Sequence, residues 1–124
     1  MNKVFLDDSI LMAILFQRTK YTRISELLSQ YSNVYISFLT IHILMYCTEL
    51  EKLEVENTWQ LIQNCTILEN NQTTFELAKI IYDGDDFEDC LQIATCLSAE
   101  ITTFITSDKN LVKNHKNLLN IVLL

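Results

Sequence analysis

Acidic side chains stand at the places along the chain where strands are expected to end or helices to begin. Asp7 follows the apolar run Val4–Leu6, and Asp108 follows the β-branched and aromatic run 101–106. Between them, a stretch of seven residues holds five carboxylates: Asp83, Asp85, Asp86, Glu88 and Asp89. Carboxylates that converge repel one another unless a cation lies among them, and oxygen ligands favour Mg²⁺ or Mn²⁺. The pattern indicates a metal site that can activate water for attack on a phosphate ester.

Hydrophobic periodicity predicts the elements that must bring these acids together. Strands are predicted near Val4–Leu6, Val34–Ser37, Ile101–Thr106 and Ile121–Leu123, with a weaker one at 65–68. Helices are predicted between them. Alternation of this kind predicts one α/β domain over residues 1–124, a three-layer α/β/α sandwich around a mainly parallel sheet of four to five strands. The carboxyl ends of such strands share one edge, where ligands of open α/β sheets bind.

Polar residues mark the expected beginnings of the helices. Thr40 is predicted to cap the third helix, and the box Thr73–Glu76 the fifth. Asp86 is predicted to begin the acidic helix, and Asp89, three residues later, shares its face. Ser107–Asp108 suits the cap of the helix that starts at residue 109.

Composition narrows the class of protein. The net charge of −7 argues against a broad phosphate-binding surface, but it leaves room for an acidic cleft filled by cations. No apolar run reaches the roughly 18 residues of a membrane span. Asp7 and Asp8 interrupt the apolar N-terminus, so we expect no signal peptide, a cytoplasmic protein and no membrane partner. The four cysteines form no CxxC pair and are interpreted as reduced core residues.

Two groups of basic residues could lie on the rim of the acidic cleft or simply on solvated helix faces. They are Arg18, Lys20 and Arg23, and Lys109, Lys113 and Lys116.

Four segments resemble the motifs of one known family, in family order. VFLDDS resembles the VFLDTN opening of PIN domains, the ribonuclease fold of VapC-type bacterial toxins. YISFLT resembles their second strand and helix cap, DFEDCLQIATCL their DFEDALQ-type helix, and FITSDKNL their TxDxxL ending. The resemblance implies a PIN-like fold and an endoribonuclease dependent on Mg²⁺ or Mn²⁺. It also implies an RNA substrate and, often, a role as the toxin paired with a small antitoxin protein.

Roles are implied residue by residue. Asp7, Asp89 and Asp108 would be catalytic, and these three with Asp86 would hold the metal. The residues implied to orient them are Ser9, Thr106 and Ser107.

Two positions depart from the family pattern. Asp8 stands where Thr is common, and we interpret it as a helix cap. Ile43 stands where many PIN domains place a metal-binding Glu, which predicts weaker metal binding and slow or lost catalysis. His42 is a poor replacement because it lies about 100° around the helix. His115, in a segment rich in Lys and Asn, is expected on the surface.

Three other interpretations stay open. A PIN fold without catalysis would be a binding module for RNA or protein, as Ile43 and the negative charge suggest. A receiver domain of two-component signalling would need an acceptor Asp at the end of a middle strand, where the sequence has Ser37 or Glu69. A plain α/β domain would leave the spacing of the acids as coincidence. The apolar excess, with a mean hydropathy of +0.16, also predicts a homodimer or a bound antitoxin peptide.

Overall fold

Five parallel strands form the centre of the molecule in the computed structural model, which describes residues 3–16 and 21–124. In chain order they are β1 (Lys3–Leu6), β2 (Asn33–Ser37), β3 (Thr66–Leu68), β4 (Thr103–Thr106) and β5 (Asn120–Leu123). They lie in the order β3-β2-β1-β4-β5, and every neighbouring pair is parallel. The predicted α/β fold with a parallel sheet is confirmed.

Helices connect the strands. They are α1 (Asp8–Leu15), α2 (Tyr21–Leu28), α3 (Phe38–Leu50), α4 (Val55–Gln63), α5 (Gln72–Ile81), α6 (Phe87–Ser98) and α7 (Lys109–His115). Within the described ranges, no helix is both long enough and apolar enough to cross a bilayer. The four cysteines are free thiols, as predicted, but only Cys90 and Cys96 are buried, whereas Cys47 and Cys65 are half-buried.

Alternating residues of the strands send side chains into two separate cores. Val4 and Leu6 pack in one cluster with Ile105 and with residues of α1, α2, α3 and α4. Phe5 and Phe104 point to the other face, where their rings stack with centroids 5.3 Å apart and meet residues of α6 and α7. Because a strand has a side-chain period of two, both faces of the sheet are buried, which gives the three predicted layers.

The strand order reverses next to β1. The chain goes from β1 to β2 and β3 on one side, and then crosses to place β4 and β5 on the other. The ends of β1 and β4 are therefore neighbours, and the Asp7 amide donates to the Ile105 carbonyl over 2.9 Å. In open α/β sheets the crevice outside such a reversal is where ligands bind.

Two predicted helix caps were wrong by two or three residues. Ser37, not Thr40, caps α3, and its Oγ accepts the Thr40 amide at 3.3 Å. The capping box of α5 joins Asn71 and Thr74 rather than Thr73 and Glu76. In both places several polar residues compete for one cap, and the residue on which extended backbone ends decides between them.

Candidate metal centre

Asp7 ends β1 and lies just before α1. Only 3% of the residue is exposed, yet it does not cap the helix with its side chain. Instead its Oδ2 accepts hydrogen bonds from Ser9 Oγ and Thr106 Oγ1, each at 2.8 Å. A buried carboxylate requires donors of this kind, and here two hydroxyls from opposite ends of the chain provide them.

Backbone amides fix the direction of both hydroxyls. Ser9 Oγ accepts the Ser107 amide at 3.1 Å, and Thr106 Oγ1 accepts the Asp108 amide at 3.0 Å. Because each hydroxyl has a single proton and already accepts an amide, it is free to donate that proton to Asp7. The turn after β4 thus stabilises the negative charge of Asp7 and fixes its orientation.

The second oxygen of Asp7 is left over. With every nearby carboxylate ionised, Oδ1 is buried and accepts no hydrogen bond from any residue that the structure describes. A buried polar atom without a partner costs free energy, so such atoms are rare and call for a reason. An oxygen held at the ligand edge of the sheet with a free lone pair is a suitable donor for a cation.

The first turn of α6 supplies two more acids. Asp86 is the N-cap, and its Oδ1 accepts the Glu88 amide at 2.9 Å and the Asp89 amide at 3.4 Å. Asp89 is 9% exposed. Burial first, and then the negative charges of Asp86, Asp7, Asp108 and Glu88, raise the pKa of Asp89 to about 7. The acids predicted from the sequence therefore act on one another across three elements.

Asp8 is not the helix cap that its position suggested. It is the first residue of α1. Burial, the hydrogen bond it can donate to Asp7 when protonated, and the charges of Asp7 and Glu88 raise the pKa of Asp8 to about 9. In the metal-free protein, Asp8 can therefore hold a proton at neutral pH and donate it to Asp7, and a cation bound at Asp7 would take the place of that proton. Burial and the charges of Asp86 and Asp7 also raise the pKa of Glu88.

Asp108 begins α7 as a helix cap. Its Oδ1 accepts the amides of Asn110 at 2.9 Å and Leu111 at 3.4 Å. It is half-buried. One carboxylate oxygen of Asp108 therefore accepts hydrogen bonds from the helix amides. The negative charge of Asp108 contributes to the raised pKa of Asp89.

No basic side chain in the described part of the chain forms an ion pair with the acids of the site. Between residues that the structure describes, the one side-chain ion pair is Lys79–Glu76, which involves none of these acids. The basic residues expected on the rim divide in two. Arg23, Lys109, Lys113 and Lys116 are exposed, whereas Arg18 and Lys20 lie outside the described residues.

The donor set suits a hard divalent cation, although its members are not yet gathered around a point. In ranges 3–16 and 21–124, no three side chains of His, Cys, Asp or Glu lie close enough to enclose an ion. The buried, unpaired Asp7 Oδ1 and the raised pKa of Asp89 are what a cation would relieve, and all the donors are oxygens, as Mg²⁺ and Mn²⁺ prefer. The assignment of Asp7, Asp86, Asp89 and Asp108 as ligands stays a prediction.

Several residues near the site differ from expectation or were missed. His115 is buried, with 4% exposed, rather than on the surface. His42 is exposed and Ile43 is half-buried. Gln92, fully buried on α6, was not singled out, although a Gln at i+3 from Asp89 on an apolar helix face was visible in the sequence.

Comparisons of the chain with solved structures agree with the fold. A chain in a toxin–antitoxin complex from Klebsiella pneumoniae superposes with a TM-score of 0.79 at 17% identity, covering 96% of this chain and 95% of that one. The FitAcB structure from Neisseria gonorrhoeae gives 0.77 at 15% identity, with 95% of each chain covered. VapC20 of Mycobacterium tuberculosis, a toxin that cleaves the sarcin–ricin loop, gives 0.73 at 12%, with 89% and 93% covered. At these identities the likeness shows a shared fold.

Sequence comparison adds the family. A search of curated proteins found no match. The family model described as PIN domain matches residues 4–117, which include every acid of the candidate site. Because that match covers most of the sequence, the chain belongs to the PIN domain family.

Proposed function

We propose that this protein is a metal-dependent endoribonuclease of the PIN type that hydrolyses RNA phosphodiesters with Mg²⁺ or Mn²⁺. The observation that carries the proposal is the buried carboxylate of Asp7, whose Oδ1 has no hydrogen-bond partner among the described residues when Asp8 is ionised. It lies where the strand order reverses, and Asp89 and Asp108 act on the same space. Structural acids at helix ends would not require a desolvated, unpaired oxygen there.

Four residues would hold the ion: Asp7, Asp86, Asp89 and Asp108. When bound, a divalent cation supplies a polarised water and stabilises charge on the reacting phosphate. Ser9 and Thr106 keep Asp7 oriented so that Oδ1 stays directed to the ligand. Asp89, with a pKa of about 7, loses its proton easily at neutral pH and so can act as a ligand there.

The solved relatives support the role of toxin. One comes from a toxin–antitoxin complex, and another is a VapC toxin that cleaves the sarcin–ricin loop. We infer that this chain likewise binds a small antitoxin protein. An apolar groove of about 520 Å³ between α1, α2 and α4, lined by Ile14, Leu15, Tyr21, Asn57 and Leu61, would receive an apolar segment of that partner.

A PIN fold that binds RNA or protein without cleaving it is the second candidate. The helix α3 carries no acid between Phe38 and Thr48, and Glu49 near its end is exposed. The site therefore has one acid fewer than the family resemblance leads us to expect. A protein with a weak metal site would keep its fold and its binding surface but would cleave RNA slowly or not at all.

Replacing an acid of the site should abolish cleavage. Asp7→Asn or Asp89→Asn should lower kcat/KM for a labelled RNA in Mn²⁺ by at least about 100-fold, the scale of losing one preorganised electrostatic group. Asp83→Asn, which removes an equal charge from the same acidic stretch but outside the proposed ligand set, should keep the parent rate. Equal activity in Asp7→Asn and the parent would assign the cleavage to a contaminating nuclease.

The metal-free protein should lose stability as the pH rises from about 4 to about 9. In the unfolded chain the pKa of an Asp carboxyl is about 3.9. In the folded protein the pKa is about 7 for Asp89 and about 9 for Asp8. The folded protein thus binds more protons than the unfolded chain in this window, so raising the pH favours unfolding. The stabilisation from protonated Asp89 is complete near pH 4 and is lost through about pH 7.

Melting temperatures measured in chelator at successive pH values check this. Asp89→Asn should flatten the curve between about pH 4 and about pH 7, and Asp83→Asn should not. Saturating Mn²⁺ should restore the stability lost at high pH, because the ion binds the deprotonated carboxylates of the folded state. Parallel curves for Asp89→Asn and the parent would contradict the assignment.

Adding an acid to α3 should separate the two candidate functions. If Ile43 occupies a vacant ligand position, Ile43→Glu should increase the rise in melting temperature caused by Mn²⁺, since stabilisation grows as RT ln(1 + [L]/Kd). Met45→Glu is the control, because Met45 is also half-buried but lies about 200° around the same helix. If both variants are merely less stable, with the parent's response to Mn²⁺, Ile43 is a packing residue.

Binding of an antitoxin should depend on the groove. Co-expression with the product of a small adjacent reading frame should give a stable complex, and Tyr21→Glu, at a residue 47% exposed, should dissociate it. Ile80→Glu, at a residue 80% exposed on α5, is the control and should keep the complex. A complex that survives Tyr21→Glu would place the partner elsewhere. Light scattering on the same samples checks the predicted homodimer.

A further inference from the structure

A fully buried side-chain amide joins α6 to the start of α3. Gln92 is 0% exposed. Its Nε2 donates to Thr40 Oγ1 and its Oε1 accepts from Ser37 Oγ, each over 2.8 Å. Both polar atoms of the amide are therefore satisfied within the protein, as burial at this depth requires.

A second amide joins the same two helices from the loop after β3. Asn70 Oδ1 accepts the Leu39 amide, and Asn70 Nδ2 donates to Thr95 Oγ1, each over 2.8 Å. Gln92 and Asn70, which we call the amide bracket, thus contact the first turn of α3 at one end and α6 at the other. Four hydrogen bonds of similar length connect the two helices through side chains that are far apart in sequence.

Among the described residues, the other side-chain hydrogen bond from α6 to a residue beyond the helix is the weak one from the Cys96 thiol to the Ile101 carbonyl, over 3.3 Å. The rest of its packing is apolar: Ile93 and Cys96 lie in the cluster with Phe5 and Phe104, and Cys90 and Ala94 pack on Ala78 of α5. Apolar contact is non-directional, so it favours burial without fixing how far a helix slides along its own axis. Hydrogen bonds weaken steeply with distance and angle, and therefore define that position.

The bracket is one helical turn away from the acids. Gln92 follows Asp89 by three residues, so the two share a face of α6 and are separated by about 4.5 Å along its axis. A slide or tilt of α6 large enough to break the contacts of Gln92 would move Asp89 by a similar distance. A displacement of about 1 Å at a reacting centre can lower the reaction rate about 100-fold.

We propose that Gln92, together with Asn70, positions α6 so that Asp89 stands opposite Asp7 and Asp108. The inference rests on the proposed metal-dependent function and deepens it by adding a positioning residue. In this arrangement α3 serves the centre through Ser37 and Thr40, which hold the neighbouring helix, rather than through an acid of its own.

The test compares two variants that each lose buried hydrogen bonds on α3. Gln92→Met keeps the length and apolar contacts of the side chain and removes the amide. Thr58→Val, the control, removes the buried contact of 2.8 Å between Thr58 Oγ1 and Thr48 Oγ1, which joins α3 to α4. Calorimetry with Mn²⁺ alone measures the dissociation constant for each metal-free protein.

Gln92→Met should raise the Mn²⁺ dissociation constant about tenfold or more, as the loss of contacts that orient metal ligands does. Thr58→Val should leave it unchanged. An unchanged constant in Gln92→Met, or an equal rise in both variants, would overturn the proposal. If Gln92→Met does not fold, Asn70→Ala, at an exposed residue, is used in its place with the same expectation.

Crystal structures of the metal-free variants give a readout that does not depend on metal. Asp89 should move away from Asp7 in Gln92→Met and keep its place in Thr58→Val. If the parent binds no Mn²⁺, the proposed nuclease function fails, and the bracket is judged on this displacement alone. An unmoved Asp89 would show that packing is enough to place α6.

Discussion

Repulsion between carboxylates that share a desolvated edge of the sheet is the constraint on which the rest of the structure depends. Asp7 is nearly fully buried, and Asp89 is little more exposed. A buried charge without a counterion opposes folding, so the stability must come from elsewhere. It comes from two apolar cores, one on each face of the sheet, which bury Val4, Phe5 and Leu6 of β1 and Phe104 and Ile105 of β4.

The protein handles this repulsion differently on each acid. Two hydroxyls held by backbone amides compensate the charge of Asp7. Burial and the neighbouring acids raise the pKa of Asp8 to about 9 and the pKa of Asp89 to about 7, so both carboxyl groups bind protons more readily than an exposed Asp does. The centre thus limits its charge without any ion pair to a described residue, which leaves its oxygens available to a ligand.

Sequence reasoning was most successful where the signal is local. The apolar runs of β1 and β2 and the stripe of α6 follow from periodicity, and alternation of strands and helices led to the parallel sheet. Helix caps were less predictable, because Ser37 and Thr40 are both good caps and tertiary structure decides between them. The acids of the proposed metal centre were inferred from their positions at the ends of strands and helices and from the motifs that resemble the PIN family.

The contacts that organise those acids could not be read in advance. Thr106 reaches Asp7 across 99 residues of sequence, and Gln92 reaches Thr40 across 52. Such pairs depend on the strand order, which periodicity does not define. The raised pKa of Asp8 likewise depends on burial and on the charges of Asp7 and Glu88. The sequence alone suggested only a helix cap at this position, because these neighbours are set by the tertiary structure.

The alternation of side chains along β1 limits how this protein can evolve. Val4 and Leu6 belong to one core and Phe5 to the other, and the chain enters the centre at Asp7 directly afterwards. Insertion or deletion of a single residue in β1 would exchange the two faces and turn Asp7 away from Thr106 at the same time. Changes of specificity must therefore arise by substitution or in loops, while the length of this strand stays constant.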